Sequence, residues 1–290
     1  MSGLRNDTSS MHIPDGFLTP PVWGTLDAIS APAVAWVARR AQRDTQDQQI
    51  PMLGVMGAFV FAAQMVNFPV GPGTSGHLVG GTLLAVVLGP APAALVMTAI
   101  LFLQALIFQD GGVLALGANV FNMALLGVAA GYLPYRLWGR KPVTIFAGGA
   151  FSVMTSACLA LGQLRISGVP MAGSVLWASL GLFLISALME GAITVAAVRA
   201  IERLNPTWVA GGPQSSSSRT LPALAMATLA LVVVGTLIAS AAPDGIQRLT
   251  GQGGTTGAWN LRVIDGIGGL ILIFALCFLG GRLIFRRRSA

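Results

Sequence analysis

Charge is scarce in this chain: Asp, Glu, Lys and Arg together make up 9% of 290 residues. A soluble domain carries about 25%, so the polar surface of a water-soluble globule is missing. Cysteine is rarer still. Cys158 and Cys277 both fall inside apolar runs, which excludes a disulfide scaffold and leaves them as small packing residues. The single lysine, Lys141, is followed by Pro142 rather than Ser or Thr, so the chain has no P-loop and encodes no ATPase of its own. No nucleophile–base pair or side-chain metal cluster of the kind a membrane enzyme needs is visible. What the chain has in excess is apolar: 54% hydrophobic residues, a mean hydropathy of +0.75 and 37 glycines. Small residues let helices pack closely in lipid. The composition describes an all-α polytopic membrane protein and excludes a disordered chain and a nucleic-acid module.

Nine apolar segments follow one another, approximately 22–39, 52–67, 78–89, 91–108, 113–135, 143–162, 173–198, 222–242 and 264–285. Several match the ~20 residues that span a bilayer. The third and fourth are split only by Gly89-Pro90-Ala91-Pro92, so the pair reads as a tight hairpin or a broken helix. A Gly/Pro/Ser-rich stretch, Gly211 to Ser218, has linker composition. It divides a core, residues 1–205, from a two-helix module, residues 222–290, across a linker at 206–221. With the N-terminus outside, thirteen of the 17 basic residues fall in cytoplasmic loops, and only Arg5, Arg165, Arg248 and Arg262 lie outside. This positive-inside bias predicts an external N-terminus, an odd number of spans and a cytoplasmic C-terminus. It also accounts for the net charge of +7 without a nucleic-acid partner. The first 20 residues lack the apolar core of a secretory signal, so the first span reads as a retained helix.

Only two histidines are present. His12 precedes the first span and His77 the third, and this topology places both on the exterior side. Each alone also reads as a hydrogen-bonded loop histidine. Two imidazoles cannot complete a metal site, so further donors must come from carboxylates, backbone or a terminal amine.

The string Met11-His12-Ile13-Pro14-Asp15-Gly16-Phe17-Leu18 resembles the N-terminal signature of the nickel/cobalt substrate-binding (S) component of energy-coupling factor ABC transporters. The similarity continues through Asn67-Phe68-Pro69-Val70, Gly73-Thr74-Ser75-Gly76-His77-Leu78, Gln104, Gln109-Asp110-Gly111-Gly112, Leu116-Gly117-Ala118-Asn119, Asn122-Met123-Ala124 and Glu190-Gly191-Ala192-Ile193-Thr194. Pro243-Asp244-Gly245-Ile246 resembles a loop of the small two-helix subunit that accompanies these proteins, here fused. The resemblance implies an exterior Ni2+ or Co2+ site built from the Met11 amine, the His12 backbone nitrogen and the imidazoles of His12 and His77. Four nitrogens in a plane suit Ni(II) and Cu(II) better than Zn(II) or Mg(II). It implies no resident cofactor. Its implied partners in a bacterial or archaeal cytoplasmic membrane are a transmembrane coupling subunit and two cytoplasmic ATP-binding subunits.

Ten residues precede Met11. A peptide bond at Met11 would replace an amine donor with a poorer one, so translation from Met11, or processing to it, is expected. Asp15 reads first as a turn residue and second as an outer support for an imidazole. Asn67, Asn119 and Asn122 lie near exterior ends of spans and are candidates for the outer shell of the metal pocket. Gln64 and Gln104 read as interhelical hydrogen-bonding residues. Glu190, well along the seventh span, pairs with polar neighbours or serves transport. A secondary permease driven by an ion gradient is the rival reading. It would need ionisable residues threaded through the membrane, and among the carboxylates only Asp27, Glu190 and Asp265 fall within spans.

Overall fold

The computed structural model describes residues 12–204, except 47–48, 67 and 72–73, together with 225–226, 228–230, 271 and 273–279. In chain order the elements are α1 (Pro20–Asp44), α2 (Ile50–Gln64), β1 (Phe68–Gly71), β2 (Thr74–Gly76), α3 (Gly81–Leu88), α4 (Pro90–Leu103), α5 (Leu116–Asn119), α6 (Val128–Trp138), α7 (Pro142–Ile166) and α8 (Gly173–Leu204). Two π-helical stretches, Gln104–Phe108 and Val120–Gly127, extend α4 and connect α5 to α6. Proline occupies the first or second position of α1, α2, α4 and α7. There its missing N–H has no helical acceptor to lose.

Four helical stretches among the described residues are long and apolar enough to cross a membrane: Pro90–Phe108, Leu116–Trp138, Pro142–Ile166 and Gly173–Arg203. The chain is a multi-pass membrane protein. Each of the first seven apolar segments carries helix. The last two, the linker and the module boundaries lie mostly outside the described residues, although 225–226, 228–230, 271 and 273–279 are helical. The break at Gly89 is real: with φ at +88° it closes α3 and opens α4. One departure from a purely helical chain is a small antiparallel hairpin, β1 paired to β2 with Phe68 opposite Gly76. Its segments are too short and too rich in proline and glycine to hold a helix.

Glycine sets the close contacts. A Cβ on Gly149 of α7 would stand 2.8 Å from Gly191 Cα on α8. Gly127 and Gly131, a small-residue pair at helical spacing, face Ser156, and Thr82 with Ser152, so they pack inside the bundle. Ala31 and Ala35 on α1 are exposed. The described residues 273–279 lie against α2, where Phe274 comes within 2.9 Å of a Cβ built on Gly54.

The two ends of the bundle differ in charge. Thr19, at the start of α1, donates from its backbone N–H to Ser167 Oγ just past α7, 3.2 Å away. At the opposite end, the Arg140 guanidinium bonds the Glu202 carboxylate and ties the α6–α7 turn to the end of α8. Arg39, Arg40 and Arg43 close α1, and Arg136, Lys141, Arg199 and Arg203 lie with the Arg140–Glu202 end. Arg165 is the only basic residue near the first end among the described residues.

Candidate metal centre

The segment before α1 is threaded into the first end of the bundle, where Ile13 bonds through both its backbone groups. Ile13 N–H donates to Asn119 Oδ1 at 2.8 Å, and Asn119 Nδ2 returns a bond to Ile13 O at 3.0 Å. Gly112 N–H reaches the same carbonyl at 3.0 Å. The Ile13 side chain is fully buried. Asp15 accepts from the N–H groups of Val113 (3.0 Å), Leu114 (2.8 Å) and Ala115 (3.2 Å). Those N–H groups lead into α5, where a carboxylate satisfies donors that have no helical acceptor. Asp15 therefore pins a distant loop as well as turning its own segment.

That loop needs its glycines. Gly111 has φ of +99°, and a Cβ there would meet His12 Cβ at 2.8 Å. A Cβ on Gly112 would collide with the Asp15 carboxylate and lie 2.5 Å from Asp15 N and 2.8 Å from Pro14 C. Backbone cannot rotate away as a side chain tip can. Gly112→Ala is thus expected to lever the 12–15 segment off the loop and to weaken metal binding at least tenfold, while circular dichroism reports an intact helical bundle. Unchanged affinity would show that the segment does not need this seat.

The fold brings together the two histidines, 65 positions apart in sequence. Their ring centroids are 6.1 Å apart with an interplanar angle of 36°. His12 is 1% exposed and His77 3%. His12 Nδ1 lies 3.2 Å from Asp110 Oδ1. A carboxylate only accepts there, so Nδ1 carries the proton and Nε2 the ring lone pair. His77 Nδ1 lies 2.9 Å from Leu78 O, a carbonyl that likewise only accepts, and this fixes the same tautomer. Burial, reinforced by the neighbouring His12, holds the His77 pKa below its ordinary value, against the smaller opposing effects of the Leu78 carbonyl and Asp110. A neutral imidazole is the form that binds metal.

The residues after His77 are clamped from two sides. Glu190 is 1% exposed and accepts from Val79 N–H at 2.7 Å and Gly80 N–H at 2.8 Å. Val79 O accepts from Gln64 Nε2 at 2.7 Å, and Gln64 Oε1 accepts from Gln104 Nε2 at 2.9 Å. Of the expected outer-shell asparagines, Asn119 adjoins the pocket. Asn122 instead exchanges two amide bonds with Gln163, at 2.8 and 2.7 Å. Its backbone carbonyl accepts from Ser156 Oγ, so Asn122 ties the Val120–Gly127 stretch to α7. Met11 and Asn67 lie outside the described residues. Among those described, no group of three or more His, Cys, Asp or Glu side chains converges to hold an ion. Asp110 is the residue that the sequence reading left without a role. Its signal was an acidic residue inside Gln109-Asp110-Gly111-Gly112, directly after an apolar span.

Residues 12–208 match the family described as CbiM, cobalt uptake substrate-specific transmembrane region. A protein of Lactiplantibacillus plantarum named "Probable fused nickel transport protein LarMN" is 34% identical over 266 residues, spanning 83% of this chain and 81% of that protein. The "Cobalt transport protein CbiM" of Streptomyces coelicolor is 34% identical over 206 residues, 65% of this chain and 87% of its own length. A crystal structure titled as a transition metal transporter superposes with a TM-score of 0.60 at 31% identity, covering 68% of this chain and 94% of the other.

Proposed function

The chain belongs to the CbiM family of cobalt uptake substrate-specific transmembrane regions, and on that premise we propose that it captures Ni2+ or Co2+ outside the cytoplasmic membrane and delivers it inward as the S component of an energy-coupling factor importer. The observation that carries the reading is the buried His12–His77 pair, with the His77 ring held as a lone-pair donor by Leu78 and the His12 ring seated against Asp110. The remaining donors are the Met11 amine and the His12 backbone nitrogen. A chelate ring closed between that nitrogen and its own imidazole passes through Nδ1, the atom Asp110 now holds. The arriving cation therefore displaces a proton from Nδ1, and the Asp110 carboxylate lies beside the new charge.

Nine spans with an external N-terminus complete the proposed topology, with a core of 1–205, a linker at 206–221 and a two-helix module of 222–290. The basic residues gathered at the end opposite the histidines support this orientation. So does the match to a fused relative over 266 residues, for the module. The coupling subunit and two ATP-binding subunits supply the energy, and the exposed Ala31 and Ala35 on α1 offer a surface for close helix contact with the former. Both Glu190 oxygens accept from backbone N–H groups, which supports a positioning role for it rather than a step in a proton path. Purified alone, the protein is expected to bind metal and hydrolyse no ATP. Liposomes containing this chain and no partner, given a pH gradient, should not accumulate Ni2+; accumulation would favour a gradient-driven permease instead.

A further inference from the structure

The buried polar side chains behind the two histidines are joined to one another. Starting at α8, the Glu190 carboxylate accepts from Val79 and Gly80 N–H. The carbonyl of that same Val79 accepts from Gln64 Nε2 on α2. Gln64 Oε1 accepts from Gln104 Nε2. The backbone carbonyl of Gln104 accepts from Asp110 N–H at 2.9 Å, and Asp110 Oδ1 accepts from His12 Nδ1. An unbroken chain of hydrogen bonds thus runs from the loop carrying His77 to the His12 ring. Glu190 is 1% exposed, and Gln64 and Gln104 are 4% each.

The chemistry gives this chain one direction. Val79 O can only accept, so the amide nitrogen of Gln64 faces it and its oxygen faces Gln104. Gln104 opens the π-helical stretch Gln104–Phe108. In an α-turn its carbonyl would serve Phe108; here it serves Asp110, six residues on, while the side chain reaches Gln64. The non-glycine left-handed residue Gln109, φ +54°, follows at once and swings Asp110 towards His12. A buried carboxylate is costly unless fully bonded, and both Glu190 oxygens are used on the two peptide groups beyond His77.

We propose that Glu190, Gln64 and Gln104 form a single positioning network that holds the His77 loop and, through Asp110, sets the tilt of the His12 ring before the ion arrives and keeps the Asp110 carboxylate beside it afterwards, so that metal affinity depends on three buried residues that never touch the ion. The inference rests on His12 and His77 being the ligands.

Glu190→Gln keeps the shape of the side chain but sets an amide N–H2 against a backbone donor. Gln104→Leu keeps the volume and cuts the link between the two halves. Each variant is expected to bind one Ni2+ per chain with affinity lowered 10–100-fold, the range that outer partners of metal ligands typically command. Each should also show an altered ligand-field spectrum at saturating Ni2+, which a general loss of stability would not produce in protein that remains folded. In the double variant the losses should combine to less than their product, because both act through one network. Should Glu190→Gln fail to fold, Gln64→Leu paired with Gln104→Leu carries the same test. The proposal is overturned if folded variants keep wild-type affinity and spectrum while His77→Ala loses binding, or if the two losses simply multiply. A wild-type chain that binds no Ni2+ would instead remove the metal reading itself.

Discussion

Replacing His77 with alanine is expected to abolish high-affinity Ni2+ binding, and replacing His12 should do the same. Each imidazole supplies one of a small number of nitrogen donors, and the rings face each other at 6.1 Å inside the bundle. Among the described residues no group of three or more His, Cys, Asp or Glu side chains converges to hold an ion in place of a lost imidazole. The loss should therefore exceed the 10–100-fold typical of outer-shell changes. Titration calorimetry on detergent-purified protein reads it directly, and unchanged affinity in either variant would sink the site. The pH dependence has a defined sign. Burial lowers the His77 pKa from 6.5, so the ring remains neutral and competent as a ligand below the pH at which an exposed histidine would be protonated. The same shift links to folding. The unfolded chain takes up its proton first as pH falls, so the stability present above 6.5 is lost as pH drops through the lowered folded value.

The second large effect concerns the donors next to His12. A chain beginning at Met11 offers a free amine and, at its first peptide, an amide nitrogen that the metal can deprotonate. A chain retaining residues 1–10 has that amine locked in a peptide bond. The shorter form is expected to bind Ni2+ tightly, with the yellow-orange absorption of planar nitrogen-ligated Ni(II), and the longer form far more weakly. Binding should release protons and weaken steeply in acid, where protons compete for every donor. The gap between the two forms should then close. Equal affinities and identical spectra at neutral pH would refute the amine-ligand arrangement, and the site would have to be rebuilt from His12, His77 and the carboxylate beside them, Asp110. Mass spectrometry of the mature N-terminus tells which form the cell makes.

Helix positions were legible in the sequence because the apolar runs stood out, several at bilayer-sized length, and proline and glycine punctuated them. The His12–His77 pairing was reached through family resemblance, since spacing alone says nothing about residues 65 positions apart. Asp110 escaped because its approach to His12 depends on a π-helical turn and a left-handed Gln109, neither of which leaves a periodic trace. Asn119 and Asn122 looked alike, three positions apart. Their fates differ because Asn119 faces the incoming segment and Asn122 faces Gln163. Gln64 and Gln104 were seen as generic interhelical bonds; what the sequence could not reveal is that they bond each other.

The depth at which Ile13 is seated bears on time as well as on affinity. The residue next to the proposed ligand His12 is fully buried and bonded through both its N–H and its carbonyl. If His12 is a ligand as proposed, an ion it holds is expected to leave no faster than that segment lifts out of the bundle, so the clock for release would belong to the protein and not to the metal. A stronger chelator in solution would then wait on the same event.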